Sequence, residues 1–208
     1  MDTASVLQWA RKVQAIAQNG LTFTKDPFDR ERFEQLQQLV TGILTSHLTI
    51  TPGEVQGLWL GDEGYATPKV DVRGAVFDQD KVLLVRERSD GKWTLPGGWV
   101  DIGDAPAFAV EREIREESGY LAKAVKLAAL FDKNNPAHAH PPSILHIYKL
   151  FFLCELTGGA PAISNETDGV DFFAVGSLPA LSTGRTTQSE IERLYQHHLN
   201  RGLPTDFD

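Results

Sequence analysis

From residue 105 to 118 the chain reads APAFAVEREIREES, and Glu113, Glu116 and Glu117 stand at intervals of three and one. On a helix turning ~100° per residue, these three glutamates fall within about 100° of arc. Ala107, Val110 and Ile114 make an apolar stripe beside them, while Pro106 and Ala109 keep the same edge small toward the helix start. Carboxylates this close repel. At ~6 Å and an effective dielectric of ~20, each pair costs roughly 2–3 kcal/mol. Glu113 and Glu117 are also a like-charge i, i+4 pair, near a helix C-terminus whose dipole disfavours anions. Arg112 neutralises one glutamate, most simply Glu116 at i+4. The rest of the repulsion needs another cation. Mg²⁺ suits an all-oxygen site, because it takes one or two carboxylates and fills its shell with water and phosphate oxygens. A hydrated helix face is the plain alternative for a run of charge, and the clustering argues against it.

These residues must be held by a larger fold. The chain has 208 residues, 41% of them hydrophobic, enough for one sizeable domain with a helical appendage. Val6, Trp9, Ala10, Val13 and Ala17 share one face of a helix over 3–18, with Gly20 as its expected stop. Asp26-Pro27 reads as the start of a second helix carrying Phe33, Leu36, Val40 and Ile43. Thr51-Pro52-Gly53-Glu54 reads as a capping box opening a short third one. From Lys69 the pattern becomes β: VDVRGAVF and KVLLVRER flank a DQD hairpin turn, and WTLPGG is a strand ending in a turn. AVKLAALF, ILHIYKLFFLCEL and GVDFFAV are further strands, and TQSEIERLYQHHL is an amphipathic helix. The class is α/β, with strands and helices mixed in α+β order. The expected division is a helical segment over 1–65 and a second domain over 66–208. A ~60-residue helical unit is marginal alone, so its helices are expected to pack on the later domain or on a second copy of the chain.

The formal charge of −8 argues against a surface grip on nucleic acid, which needs a basic patch. A single cysteine, Cys154, excludes an intrachain disulfide and gives little support to a thiolate zinc site. No basic start followed by an apolar run marks a signal peptide, and no stretch reaches the ~18 apolar residues of a membrane span. The expectation is a soluble cytoplasmic protein that binds neither nucleic acid nor membrane.

Gly98, Asp104 and the run Arg112-Glu113-Ile114-Arg115-Glu116-Glu117-Ser118-Gly119-Tyr120 resemble the Nudix box: Gly, five residues, Glu, seven residues, then Arg-Glu-apolar-any-Glu-Glu-any-Gly-apolar. Chance agreement at six fixed letters is on the order of 10⁻⁷ per window from average composition. One position departs, because Asp104 stands where the family has a glutamate implicated in bracing the box arginine. An aspartate is one methylene shorter and reaches either Arg112 or, through water, a metal. The front helices, YATPKVDVR, HPPS…YK and ETDGVDFF further resemble a two-part Nudix subgroup with an N-terminal helical segment, whose members are ADP-ribose or CDP-choline pyrophosphatases.

This resemblance implies an α/β/α sandwich with a mixed β-sheet, preceded by helices, and a homodimer. It implies Mg²⁺-dependent hydrolysis, with Mn²⁺ as a substitute ion, of a nucleoside diphosphate linked to another moiety. Glu116 and Glu117 would be metal ligands, Glu113 a third ligand or a water-orienting group, and Arg112 would orient the glutamates. The carbonyl of Gly98 would be a further ligand. Glu166, or Asp168 in its place, would be the general base or an extra ligand. Arg73, Arg86 and Arg88 could grip the diphosphate or make surface ion pairs. Trp59, Tyr65 and Trp99 could stack on a base or pack in the fold. His138 and His140 lie in a Pro-rich loop read as ordered structure or a substrate lid. The alternative to an enzyme is a Nudix-like sensor that holds ADP-ribose without cleaving it; retention of all three helix glutamates favours the enzyme.

Overall fold

The structure, a computed structural model, describes residues 2–60 and 62–208, with Trp59 and Leu60 described by their backbone alone. No helix among these residues is long and apolar enough to cross a membrane. The chain forms two compact units: the residues up to Pro68 with Pro142–His146, and Lys69–Pro141 with Ile147–Asp208.

The first unit is helical. Helix α1 (Thr3–Phe23) starts on Asp2, whose carboxylate accepts from the Ser5 amide. It does not stop at Gly20. That glycine lies against α2 (Pro27–His47), since a Cβ there would sit 2.3 Å from the Phe33 ring. The missing side chain serves helix–helix contact instead of a C-cap. Asp26 caps α2 through the Phe28 and Asp29 amides. Thr51 and Glu54 close the expected capping box on α3 (Pro52–Val55), which runs into a π-helical turn over Gln56–Leu60. Leu7, Ala10, Val40, Leu44 and Val55 form the core, joined by Ile144 and Leu145. The 142–146 segment thus belongs with the helices, and Arg11 donates to its Ser143 carbonyl.

The second unit is built on a mixed sheet of β1 (Lys69–Asp78), β2 (Lys81–Glu87), β3 (Trp93–Thr94), β4 (Tyr120–Asp132), β5 (Ile147–Gly159), β6 (Thr167–Ala174) and β7 (Asp206–Phe207). The strand order is β3-β2-β1-β5-β4-β7, with β6 paired to β2. β1 lies parallel to β5, and β4 antiparallel to β5. Successive residues of β1 face opposite sides. Val72 and Val76 pack under α4 (Pro106–Ser118) with Val110 and Ile114. Ala75 packs on the other side with Leu84, Phe151 and, from α5 (Gln188–Leu199), Ile191 and Leu194. The result is the expected three-layer α/β/α sandwich. One detail differs on α4: Ala107 is exposed, and Ala109 occupies the core instead.

Gly74 sets how near α4 lies to the sheet. A Cβ there would sit 2.6 Å from Ile114 Cδ1 and 3.0 Å from Val110 Cγ2. Gly74→Ala should therefore cost about 1–3 kcal/mol by overpacking, read from urea unfolding. Ile114→Val removes the clashing methyl, so the double variant should be more stable than the two single losses predict.

Candidate active site

β1 and β2 stay paired only beside their hairpin, at Phe77–Val82 and Asp78–Lys81, while β2 pairs along its length with β6. The edge of β1 is taken up by the segment after β3. Val72 donates to the Gly98 carbonyl at 2.9 Å and Gly74 to the Pro96 carbonyl at 2.9 Å. Gly97 lies between them with φ at 145°, and a Cβ there would sit 2.0 Å from the Val72 carbonyl oxygen. Only glycine fits this approach. In return the Gly97 N–H donates to Glu117 Oε2 at 2.8 Å. Gly98 lies against the Glu113 carboxyl, whose Oε2 would be 3.2 Å from an added Cβ. The turn and the acidic edge of α4 are thereby fixed to one another.

The three glutamates differ in exposure. Glu117 is buried, the Glu113 side chain is 13% exposed and that of Glu116 is 49% exposed. Arg112 sits among four carboxylates: Glu113 at 2.9 Å, Glu116 at 3.2 Å, Asp101 at 3.3 Å and Asp104 at 3.4 Å. Asp104 thus reaches the box arginine despite its shorter side chain. Burial raises the Glu113 pKa, with Arg112 opposing and Glu116 adding to the rise. Burial pushes Glu117 up to about 8, against the pull of Arg73 and the Gly97 hydrogen bond. A group so raised is short of positive charge. Hard carboxylate oxygens in that condition fit a hard divalent cation. Among the described residues, no three acid, histidine or cysteine groups are already gathered as a metal cluster; Arg112 holds Glu113 and Glu116, and the Gly97 N–H holds Glu117.

These groups line a cleft of about 840 Å³ whose other lining residues include Asp71, Arg73, Glu87, Trp99, Lys133, Lys149, Glu166 and Arg185. Within it, Arg73 grips Asp71 through two bonds of 3.0 and 2.7 Å, and Lys149 Nζ bonds the same carboxylate at 2.5 Å. Burial alone would raise Asp71, but the two cations hold it down to about 2. Glu87 pairs with Arg185 at 3.0 Å. Carboxylates of α4 and cations of β1 and β5 thus line one cleft.

The family model described as the NUDIX domain matches residues 67–195. The chain belongs to the Nudix family. A model described as a UDP-X-like, N-terminal oligomerisation domain matches residues 4–59. A Bacillus subtilis (strain 168) protein named "Putative ADP-ribose pyrophosphatase YjhB" is 42% identical over 202 residues, 97% of this chain and 96% of its own length. A crystal structure described as a UDP-X diphosphatase is 35% identical with a TM-score of 0.64, covering 100% of both chains. An ADP-ribose pyrophosphatase structure from Streptococcus suis 89-1591 is 37% identical with a TM-score of 0.62, covering 68% of this chain and 100% of its own. This chain is accordingly a Nudix hydrolase.

Several expected site residues of this Nudix hydrolase stand in the cleft: Arg112, Glu113, Glu116, Glu117, Gly98, Trp99 and Glu166. The carbonyl of Gly98 accepts from Val72 on β1, which uses one of its two lone pairs. Arg73 lines the cleft, yet its guanidinium is engaged by Asp71 and by the Leu95 carbonyl at 3.2 Å. Its donors are thus turned to the protein's own groups. Arg86 bonds Asp168 at 2.7 Å and lies over the Trp93 ring. Arg88 bonds the Ser164 carbonyl at 3.2 Å. Both therefore brace the sheet and the 164–168 loop, and Asp168 is committed as an ion-pair partner. His140 bonds Glu190 at 2.8 Å and His138 bonds Asp208 at 2.8 Å, which makes both of them structural. Tyr65 is exposed in the helical unit, and the Trp59 side chain lies outside the described residues. Glu87, Lys133, Lys149 and Arg185 are cleft residues that sequence reasoning missed. The one signal was a lysine, Lys149, inside an apolar strand.

Glu117 supplies a pH test. Its folded-state pKa of about 8 lies above the ordinary 4.5, so between those values the folded protein binds more protons than the unfolded one. Stability of the metal-free protein should fall as pH rises across that window. Glu117→Gln removes this dependence. In chelator, its Tm should match the parent near pH 4 and exceed it at pH 9, by thermal unfolding.

Proposed function

We propose that this Nudix hydrolase cleaves the pyrophosphate bond of a nucleoside diphosphate linked to a second moiety, using Mg²⁺ held by Glu113, Glu116 and Glu117. The observation that supports this reading most is one cleft lined by both the carboxylates of α4 and a set of cations. A diphosphate is an anion, and it can approach an acidic edge only through bridging cations. Bound there, Mg²⁺ or Mn²⁺ would neutralise phosphate charge and lower the pKa of a coordinated water. Arg112 holds the glutamate carboxylates apart and oriented. Glu166, on the cleft wall, accepts the proton as the water oxygen bonds to one phosphorus. The bridging oxygen leaves with the other phosphate. The products are a nucleoside monophosphate and a phosphorylated remainder. Trp99, half exposed at 47%, offers a face for a nucleobase.

ADP-ribose is the first substrate to test, since relatives of 42% and 37% identity carry that activity in their names; CDP-choline and UDP-linked compounds complete the set. A panel of such diphosphates should show turnover with Mg²⁺ or Mn²⁺ and none in chelator. Glu116→Gln and Glu117→Gln should lower kcat by about 100-fold or more, the scale of loss when one charge-stabilising group is removed. Glu166→Gln should lower it by a comparable factor if that carboxylate takes the proton. Tight binding of ADP-ribose with no turnover on any compound would instead favour the sensor.

We also propose that the protein is a homodimer joined through its helical unit. Trp9, Ile16 and Phe23 recur every seven residues on α1 and are 51%, 59% and 65% exposed, which makes one apolar stripe. The match to a domain described as oligomeric supports this reading. Ile16→Glu should convert a dimer to a monomer in sedimentation velocity.

A further inference from the structure

The cations of the cleft are not equivalent. Arg73, Arg112, Lys133, Lys149 and Arg185 all line it. Arg73 and Lys149 share Asp71, Arg112 is surrounded by carboxylates, and Arg185 pairs with Glu87. Among the described residues, the Lys133 ammonium alone of the five makes no ion pair and no hydrogen bond.

We propose that Lys133 is a phosphate-binding residue, which holds non-bridging oxygens of the substrate's diphosphate in the cleft. This inference rests on the pyrophosphatase reading above. The position of the side chain is well anchored. Lys133 N–H donates to the Ile147 carbonyl at 3.0 Å, which ties the end of β4 to the start of β5. The Asp208 carboxylate accepts from the Asp132 amide at 2.6 Å, from Asn135 Nδ2 at 2.7 Å and bonds His138 at 2.8 Å. His138 in turn stacks on Phe131 with centroids 4.1 Å apart. The turn over 132–138 is thus pinned at both ends, and Lys133 extends from it into the cleft.

Its surroundings call for an anion. Lys133 is half-buried, and burial with Lys149, Arg73 and Arg185 nearby pushes its amine down to about 8. Asp71 opposes that fall, but its oxygens are already shared by Arg73 and Lys149. An ammonium crowded by like charges gains most from a compact, multiply charged anion, and phosphoryl oxygens in a charge-assisted hydrogen bond meet that need. The acidic edge of α4 holds cation-binding groups, and Lys133 adds a direct contact from the protein to the phosphate chain. The diphosphate would then be gripped from two sides, which fixes the reacting phosphorus against the water.

The test is titration calorimetry in Mg²⁺ buffer with methylenediphosphonate, whose P–C–P bridge resists hydrolysis. Lys133→Met should weaken binding about tenfold or more, Lys133→Arg should recover most of it, and Lys81→Met, on an exposed strand position, should change nothing. Matching Tm values establish that the variants are folded. In turnover, Lys133→Met should raise KM more than it lowers kcat. Unchanged affinity in Lys133→Met, or no binding by the unaltered protein, overturns the assignment. Loss of turnover on every diphosphate by the unaltered protein overturns the pyrophosphatase reading instead, and the calorimetry decides Lys133 in either case.

Discussion

The close approach of α4 to the sheet is the constraint on which the site depends. Two positions without a Cβ permit it. Gly74 lets Ile114 and Val110 settle onto β1, and Gly97 lets its own turn lie within reach of the Val72 carbonyl. Once the helix is that near, Glu117 cannot point into water. It is buried against the turn, and the Gly97 N–H is the donor that receives it. A larger residue at either glycine would lift the helix or the turn, and the carboxylates would return to ordinary surface chemistry. The geometry of the cleft is thus a consequence of packing, set by the absence of two side chains.

Charge is arranged on that frame in two tiers. The inner tier is Asp71 with Arg73 and Lys149, two buried cations on one carboxylate. Buried ion pairs of this kind add little net stability, because desolvation offsets the attraction. What they supply is a fixed positive field. Arg73 is buried and engaged by Asp71, yet its charge acts on both Glu117 and Glu87. The outer tier lies around it. Glu113 and Glu117 carry raised pKa values, and Lys133 carries a lowered one. Each is a group whose charge the protein alone leaves undercompensated. A site that binds metal and diphosphate together would complete both deficits at once, the carboxylates by the metal and the ammonium by the phosphate.

Local signals in the sequence carried far. The box spacing located Arg112, Glu113, Glu116 and Glu117, and the Thr51–Glu54 cap and the DQD hairpin fold as read. Helix periodicity was less exact where two faces meet. Ala107 and Ala109 are both small, and only the direction of packing tells which is buried. Gly20 has the residue type that commonly ends helices, but its use, contact with Phe33, depends on the second helix. The arginines were the hardest. Arg73, Arg86 and Arg88 have the same chemistry in sequence, and their partners Asp71, Asp168 and the Ser164 carbonyl are revealed only by register. Glu87, Lys133, Lys149 and Arg185 converge from β2, the β4 end, β5 and the loop before α5, so no window of sequence contains them together.

The exchange of glutamate for aspartate at position 104 shows how such a site tolerates change. Arg112 does not rely on one partner. Its guanidinium meets Asp101, Asp104, Glu113 and Glu116 at 2.9–3.4 Å, and Asp104 makes the longest of the four contacts. A shortened side chain at 104 is therefore accommodated by a network whose other members remain in place. Glu117 has no such redundancy. Its carboxylate is received by one backbone N–H and lies under the field of one arginine. In a protein where most ion pairs are shared, the groups with the fewest internal partners are the ones left to act on a ligand.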